Sequence, residues 1–356
     1  MKARVIAFYL PQFHPIPEND EWWGKGFTEW TNVANAKPLF EGHRQPIIPG
    51  ELGYYDLRSP EVRVQQAQLA KEYGIEGFCY YDYWLGNGKR LLESPFSEVL
   101  KSGNPDFPFC LCWANHDWTT VWCGGNDVIA RQLYPGTDDY INHFYAFLPA
   151  FMDARWIKID GKLLFFVFRP NEIPNPREFT DTWRDLARKE NLPDFHFVGS
   201  GYSTWNSLQK DGFDSTVFWR HRIIEQIEKK KIYKLPINIY RRLQRKYRNK
   251  PTVFSYKKAM KYFLGNNGCK PYEYPCIIPN WDSTPRLGAE GIVLKDSTPE
   301  LFRIHVEQTI KQISNRPFQN RVVLLKSWNE WGEGNYIEPD SQFGRQYLEV
   351  LKETTC

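Results

Sequence analysis

The chain alternates short apolar runs with longer amphipathic stretches. Eight runs rich in β-branched and aromatic residues recur, at 5–10, 77–81, 107–113, 163–168, 195–199, 215–219, 276–279 and 322–326. Each is close to continuously apolar, which suits parallel strands covered on both faces. Helical patterns fall between them. Ser59-Pro60-Glu61 combines a capping residue with proline at the first helical position. Val62, Leu69, Ala70 and Tyr73 mark its apolar face, and Gly74 ends it. Thr137-Asp138-Asp139 opens a second helix, with Ile141, Phe144 and Leu148 at helical spacing, and residues 178–190 form a third. Thr298-Pro299-Glu300 repeats the cap-and-proline signature ahead of Leu301, Val306, Ile310 and Ile313, and a last helix is expected over 341–352. Eight strands with helices between them predict an α/β fold, a single (β/α)8 barrel over residues 1–356. A doubly wound sheet is the alternative. It would usually carry a glycine-rich first turn, where this chain has Pro11-Gln12-Phe13-His14.

Composition refines this picture. Hydrophobic residues at 42% are enough for a large core, and aromatics at 16%, with 14 Trp and 20 Tyr, fit either a heavy core or a cleft that stacks flat rings. No stretch approaches the roughly 20 apolar residues of a membrane span. Met1-Lys2-Ala3-Arg4 runs directly into the first strand with no signal-peptide pattern. Seven cysteines show no framework spacing, which predicts reduced thiols and a cytoplasmic protein. The net charge of +4 hides an asymmetry: residues 220–262 hold 15 Lys/Arg and 2 Glu, leaving 31 basic against 40 acidic residues elsewhere. We read 220–262 as a basic, partly helical insertion after the sixth strand. A solvated hairpin is one account of it. An anionic membrane surface, which would hold the protein at the inner membrane face, or a diphosphate-lipid-linked glycan is another. Nucleic acid is not expected, because no reader motif accompanies the charge.

In barrels of this class the active site lies at the C-terminal ends of the strands. Those positions supply the candidate substrate-binding residues. They are Tyr9, Gln12 and His14 after strand one, with Glu29 and Trp30 in the loop that follows. Tyr81, Tyr83 and Trp84 follow strand two, and Trp113, Asn115 and His116 follow strand three. Arg169 follows strand four, Trp281 strand seven, and Trp328, Asn329 and Tyr336 strand eight. Stacking faces beside amides and a few charges are what a carbohydrate needs. Any one strand-end tryptophan serves equally as rim packing, and either glutamate alone could pair with an arginine such as Arg169.

The candidate catalytic residues are Glu330 and Glu333, in Ser327-Trp328-Asn329-Glu330-Trp331-Gly332-Glu333-Gly334. Residues three apart on a helical turn have Cβ atoms about 5–6 Å apart. Two carboxylates at that range have split pKa values, one an acid and the other a base or nucleophile. Retaining glycosidases hold such a pair roughly 5–5.5 Å apart, inverting ones farther. No metal and no cofactor is implied, because the carboxylates lie among aromatics rather than among histidines at ligand spacing.

This motif, with Ile337-Glu338-Pro339 behind it, resembles the C-terminal motif of glycoside hydrolase family 99, the endo-α-mannosidases and endo-α-mannanases. It is closer still to the WbsX-like branch, found in O-antigen and capsule gene clusters and often labelled glycosyltransferase. Residues 7–14 (AFYLPQFH), 26–30 (GFTEW) and 113–116 (WANH) match that branch too, so the resemblance spans nearly the whole chain. It implies a (β/α)8 barrel and a retaining mechanism. It also implies that Glu330 is the base that deprotonates a sugar 2-hydroxyl, which attacks C1, and that Glu333 is the general acid/base. The substrate it implies is an α-linked, mannoside-like oligo- or polysaccharide of bacterial surface polysaccharide. A glycosyltransferase is the alternative, although the chain holds no Asp-x-Asp pair. A non-catalytic carbohydrate-binding barrel is a third reading, which the presence of both glutamates disfavours.

Overall fold

The structure, a computed structural model, describes residues 1–120, 127–222, 249–265 and 268–356. Eight parallel strands form its centre: β1 (Arg4–Tyr9), β2 (Ile75–Trp84), β3 (Phe109–Trp113), β4 (Lys162–Val167), β5 (Phe195–Ser200), β6 (Ser215–Val217), β7 (Cys276–Ile277) and β8 (Val322–Leu325). They lie in the order β6-β5-β4-β3-β2-β1-β8-β7. Thr216 then bridges the seam just ahead of β7. Its N–H donates to the Tyr272 carbonyl (2.8 Å), and its carbonyl accepts from the Tyr274 N–H (2.9 Å). The sheet thus nearly closes into an eight-stranded barrel, as the alternation of elements predicts.

Helices α1 (Pro60–Glu72), α2 (Ser94–Ser102), α3 (Thr137–Phe151), α4 (Pro176–Lys189), α5 (Trp205–Lys210), α6 (Pro299–Ile313) and α7 (Gln346–Thr355) lie between the strands or follow the last. Thr298 caps α6 as expected, its hydroxyl accepting from the Leu301 N–H. Ser59 does not cap α1 through its side chain; its hydroxyl bonds Glu61 instead (2.6 Å). The last helix starts at 346 rather than 341. Asp340 Oδ1 accepts from the N–H groups of Gln342 (2.8 Å) and Phe343 (2.7 Å), and Gly344 takes φ +52°. Those residues are therefore spent in a turn.

Side chains alternate across each strand. Phe8 points inward, against Tyr81, Phe166 and Trp219. Its neighbour Tyr9 points outward, where its hydroxyl donates to Gln66 of α1 (2.6 Å). Tyr80 likewise meets Phe96 of α2, and Phe165 meets Trp183 of α4. Both faces are buried, so both read as apolar.

Of the basic segment, residues 223–248 lie outside the described residues. Its C-terminal part is not an excursion from the fold. Thr252–Ser255 pairs in parallel with Ile292–Lys295, and Phe254, Tyr256 and Ala259 are buried. The charge count hid this because Lys257, Lys258 and Lys261 are exposed between buried neighbours. No helix among the described residues is long and apolar enough to cross a membrane.

Candidate active site

β8 ends where the chemistry begins. Asn329 pairs with the backbone of Leu10: its Oδ1 accepts from the Leu10 N–H (2.8 Å) and its Nδ2 donates to the Leu10 carbonyl (3.1 Å). The β1–β8 pairing is thereby prolonged by a side chain, and Glu330 follows from a fixed point. Trp331–Glu333 form one 3-10 turn, closed by Gly334 at φ +53°. A Cβ on Gly334 would lie 2.7 Å from the Asp282 backbone nitrogen. That close approach lets the Asp282 N–H donate to the Glu333 carbonyl (2.8 Å).

Asp282 also builds the neighbouring segment. Its Oδ1 accepts from the Thr284 hydroxyl (2.6 Å) and N–H (3.0 Å), while Gln45 Nε2 (2.7 Å) and His43 Nε2 (2.8 Å) meet Oδ2. With Pro285 in the first turn, this starts the short helix Thr284–Leu287 and places Arg286. The buried guanidinium grips Glu29 with two nitrogens, Nε at 2.9 Å and Nη2 at 3.0 Å. Its Nη1 stands 3.1 Å from Glu333 Oε1 and 3.5 Å from Glu330 Oε1. A second cation, Lys326, lies 3.0 Å from Glu330 Oε2 and 4.0 Å from Glu333 Oε2. The Ser327 hydroxyl donates to the same Glu330 oxygen (3.0 Å). Lys326 is enclosed by the rings of Tyr81, Trp219 and Trp281, at 6.0, 5.7 and 5.6 Å from its Nζ. Removing one partner from so buried a pair would cost about 3–5 kcal/mol, because the other charge stays uncompensated.

These neighbours drive the two glutamates apart. Burial alone would raise the pKa of Glu330, but Lys326 and Arg286 outweigh it and lower the value to about 2. Burial raises Glu333 as well. The adjacent Glu330 anion adds to that, and the value reaches about 7 against the opposing pull of Arg286 and Lys326. Near neutral pH one carboxylate is firmly ionised and the other poised to hold a proton. Behind them, burial also raises Glu338 to about 7. It accepts from Trp331 Nε1 (2.6 Å), Gln66 Nε2 (2.7 Å) and the Tyr55 hydroxyl (2.9 Å), which fixes the Trp331 ring.

The other candidates divide into two groups. Tyr81 and Tyr83 point into the barrel, and Glu330 acts electrostatically on both. Trp281 lies over Lys326, and Tyr336 stacks on Trp331 (3.8 Å between centroids). Glu29 reaches the carboxylates through Arg286, and Gln12 accepts the Glu29 N–H at its carbonyl. The rest make contacts elsewhere. Tyr9 turns to α1. Trp84 donates to Asp139 (2.9 Å) and stacks on His143 of α3. Trp113 packs on Phe179 of α4, and Trp328 on Phe78. For Tyr9, Trp84 and Trp113 the two-residue alternation of the strand decides the matter, and position at a strand end does not; Trp328 lies three residues beyond the end of β8, outside that alternation. Trp30, tied to the Tyr55 carbonyl (2.7 Å), is the exception: its ring meets Trp331 (5.5 Å between centroids), so it lies beside the turn as Tyr336 does. His14 is tied to the Pro11 carbonyl (2.9 Å). Asn115 holds the Arg169 backbone, His116 sits by the Asp117 carbonyl, and Arg169 itself pairs with Glu172 (2.6 Å). Arg286 and Lys326, which sequence reasoning passed over, carry the electrostatics. Beside the site lies a cavity of about 800 Å3, reached through Trp281, Asp282 and Gly334; neither carboxylate lines it.

A family model described as "Glycosyltransferase WbsX" matches residues 5–351. The chain belongs to the WbsX family. WbsX-family relatives include the uncharacterized protein WxcX of two strains of Xanthomonas campestris pv. campestris. Each is 35% identical over 368 residues, covering 99% of this chain and 50% of the relative. The chain thus spans about half the length of the curated relatives it matches. Among solved structures, this WbsX chain is similar in fold to a glycoside hydrolase-like protein (TM-score 0.57, 15% identity, 99% of this chain and 94% of the other). It is also similar to the family 99 endo-α-mannosidase of Bacteroides thetaiotaomicron (TM-score 0.54, 15% identity, 99% and 95%).

Proposed function

We propose that this WbsX-family barrel is a retaining glycosidase or transglycosidase acting on an α-linked, mannoside-like glycan of bacterial surface polysaccharide. The observation that carries the reading is the opposed pair: Lys326 and Arg286, within 3.0–3.5 Å, hold Glu330 down at about 2, while burial and the adjacent Glu330 anion push Glu333 up to about 7. Glu330, ionised, takes the proton of the sugar 2-hydroxyl, whose oxygen attacks C1 as the glycosidic bond breaks. Glu333, protonated, gives its proton to the leaving oxygen and later takes one from the water or acceptor hydroxyl that attacks C1 of the intermediate, while Glu330 returns its proton to the 2-oxygen as the C1–O2 bond breaks. Tyr81, Tyr83 and Trp281 offer the walls for the sugar that reacts. The family's description supports a second reading, a glycosyltransferase; its place would then be O-antigen or capsule assembly. The basic segment 220–262 suits an anionic inner-membrane surface or a lipid-linked glycan, with the protein on the cytoplasmic side.

A panel of glycosyl fluorides, α-mannosyl and α-rhamnosyl among them, tests this. Wild type is expected to release fluoride from at least one, and Glu330→Gln to lose about 10²–10⁴-fold. Glu333→Gln should retain more, since fluoride needs little acid assistance to leave. No release from any fluoride by the folded protein would shift the assignment to a transferase with an activated donor.

A further inference from the structure

Resting on those roles for Glu330 and Glu333, we propose that Glu29 is a positioning residue. It does not meet substrate but anchors Arg286, and so divides that arginine's charge between itself and the two catalytic carboxylates. Glu29 is 0% exposed, and both its oxygens are held by Arg286, at 2.9 and 3.0 Å. Its backbone is fixed as well, because its N–H donates to the Gln12 carbonyl just past β1 (3.0 Å). The turn bearing the catalytic pair rests directly on this ion pair. A Cβ at Gly332 would fall 1.7 Å from Glu29 Oε1 and 2.9 Å from Arg286 Nε. Glycine between the two glutamates is therefore what admits the third carboxylate.

Among the described residues, the charged and titratable groups that act on Glu333 are Glu330, Arg286 and Lys326, and Glu333 in turn acts on Tyr81. Two nitrogens of Arg286 are committed to Glu29, and Nη1 faces the pair. With Glu29 neutral, no anion there would oppose the guanidinium's field, which would act more strongly on Glu330 and Glu333 and favour the ionised form of Glu333. The acid would then lose its proton at a lower pH.

The test is a titration of the full chain carrying 13C-labelled glutamate carboxyls, with the Glu333 resonance assigned by its loss in Glu333→Gln. Glu333 in wild type is expected to titrate near 7. In Glu29→Gln the midpoint should fall by about one pH unit. Gly332→Ala displaces the Glu29 carboxylate without removing it, and it should move the midpoint in the same direction. Glu29→Asp should restore part of the shift. A merely structural role for Glu29 would lower stability and leave the midpoint in place. Equal midpoints in wild type, Gly332→Ala and any folded Glu29 variant overturn the proposal. The midpoint needs no substrate, so failure of wild type to release fluoride defeats the glycosidase reading separately.

Discussion

Glu330 and Glu333 are the same residue type on one turn, and Lys326 does most to make them differ. It stands 3.0 Å from one and 4.0 Å from the other. Under the proposed roles, activity rises as pH climbs through the Glu330 value, where the base ionises. It falls as pH passes the Glu333 value near 7, where the acid is lost. Lys326→Met removes the largest stabiliser of the Glu330 anion. The acid limb of kcat/KM should then move up by about one to three pH units, measured on whichever fluoride reacts. The basic limb should move less, given the longer distance to Glu333. A base held near 2 is weak but always ionised, so the variant trades availability for strength. The pair was legible in the sequence because two glutamates among tryptophans and glycines, just after an apolar strand, have few structural uses. Lys326 looked like the polar stop of a strand, although a lysine at that end is itself a signal. Arg286 had no local signal, since Ser283-Thr284-Pro285-Arg286 reads as any exposed helix start. The use of Gly332 depends on Glu29, which nothing in the sequence places across from it.

At the scale of elements, β2 and β3 meet through an absent side chain. A Cβ at Gly77 would lie 2.4 Å from the Pro108 carbonyl oxygen and 2.8 Å from Ile157 Cδ1. The next residue, Phe78, donates its N–H to that same carbonyl (3.0 Å). Gly77→Ala should therefore push the strands apart and remove about 1–3 kcal/mol of stability. The check is a urea unfolding curve whose midpoint falls with its slope unchanged. The eight runs were legible as strands because both faces of each are covered, and a continuous apolar run has few other uses. What the pattern hid was direction. Tyr9, Trp84 and Trp113 share strand ends with site residues yet pack outward, and an unbroken apolar run carries no alternation from which to tell the two faces apart.

At the scale of the molecule, the basic charge of 220–262 sits on an otherwise acidic chain. If it serves a membrane, full-length protein should co-sediment with vesicles containing anionic lipid. Neutralising Arg241, Arg242, Arg245 and Lys246 should abolish this, and unchanged binding would remove the membrane from the proposal. The curated relatives are about twice as long as this chain. The Glu29–Arg286 contact also bears on when the centre can close. Glu29 and Arg286 are 257 residues apart in the chain. During synthesis the carboxylate emerges long before its arginine, and an unpaired carboxylate resists leaving water. The loop carrying Glu29 therefore has reason to stay open until Arg286 has been made.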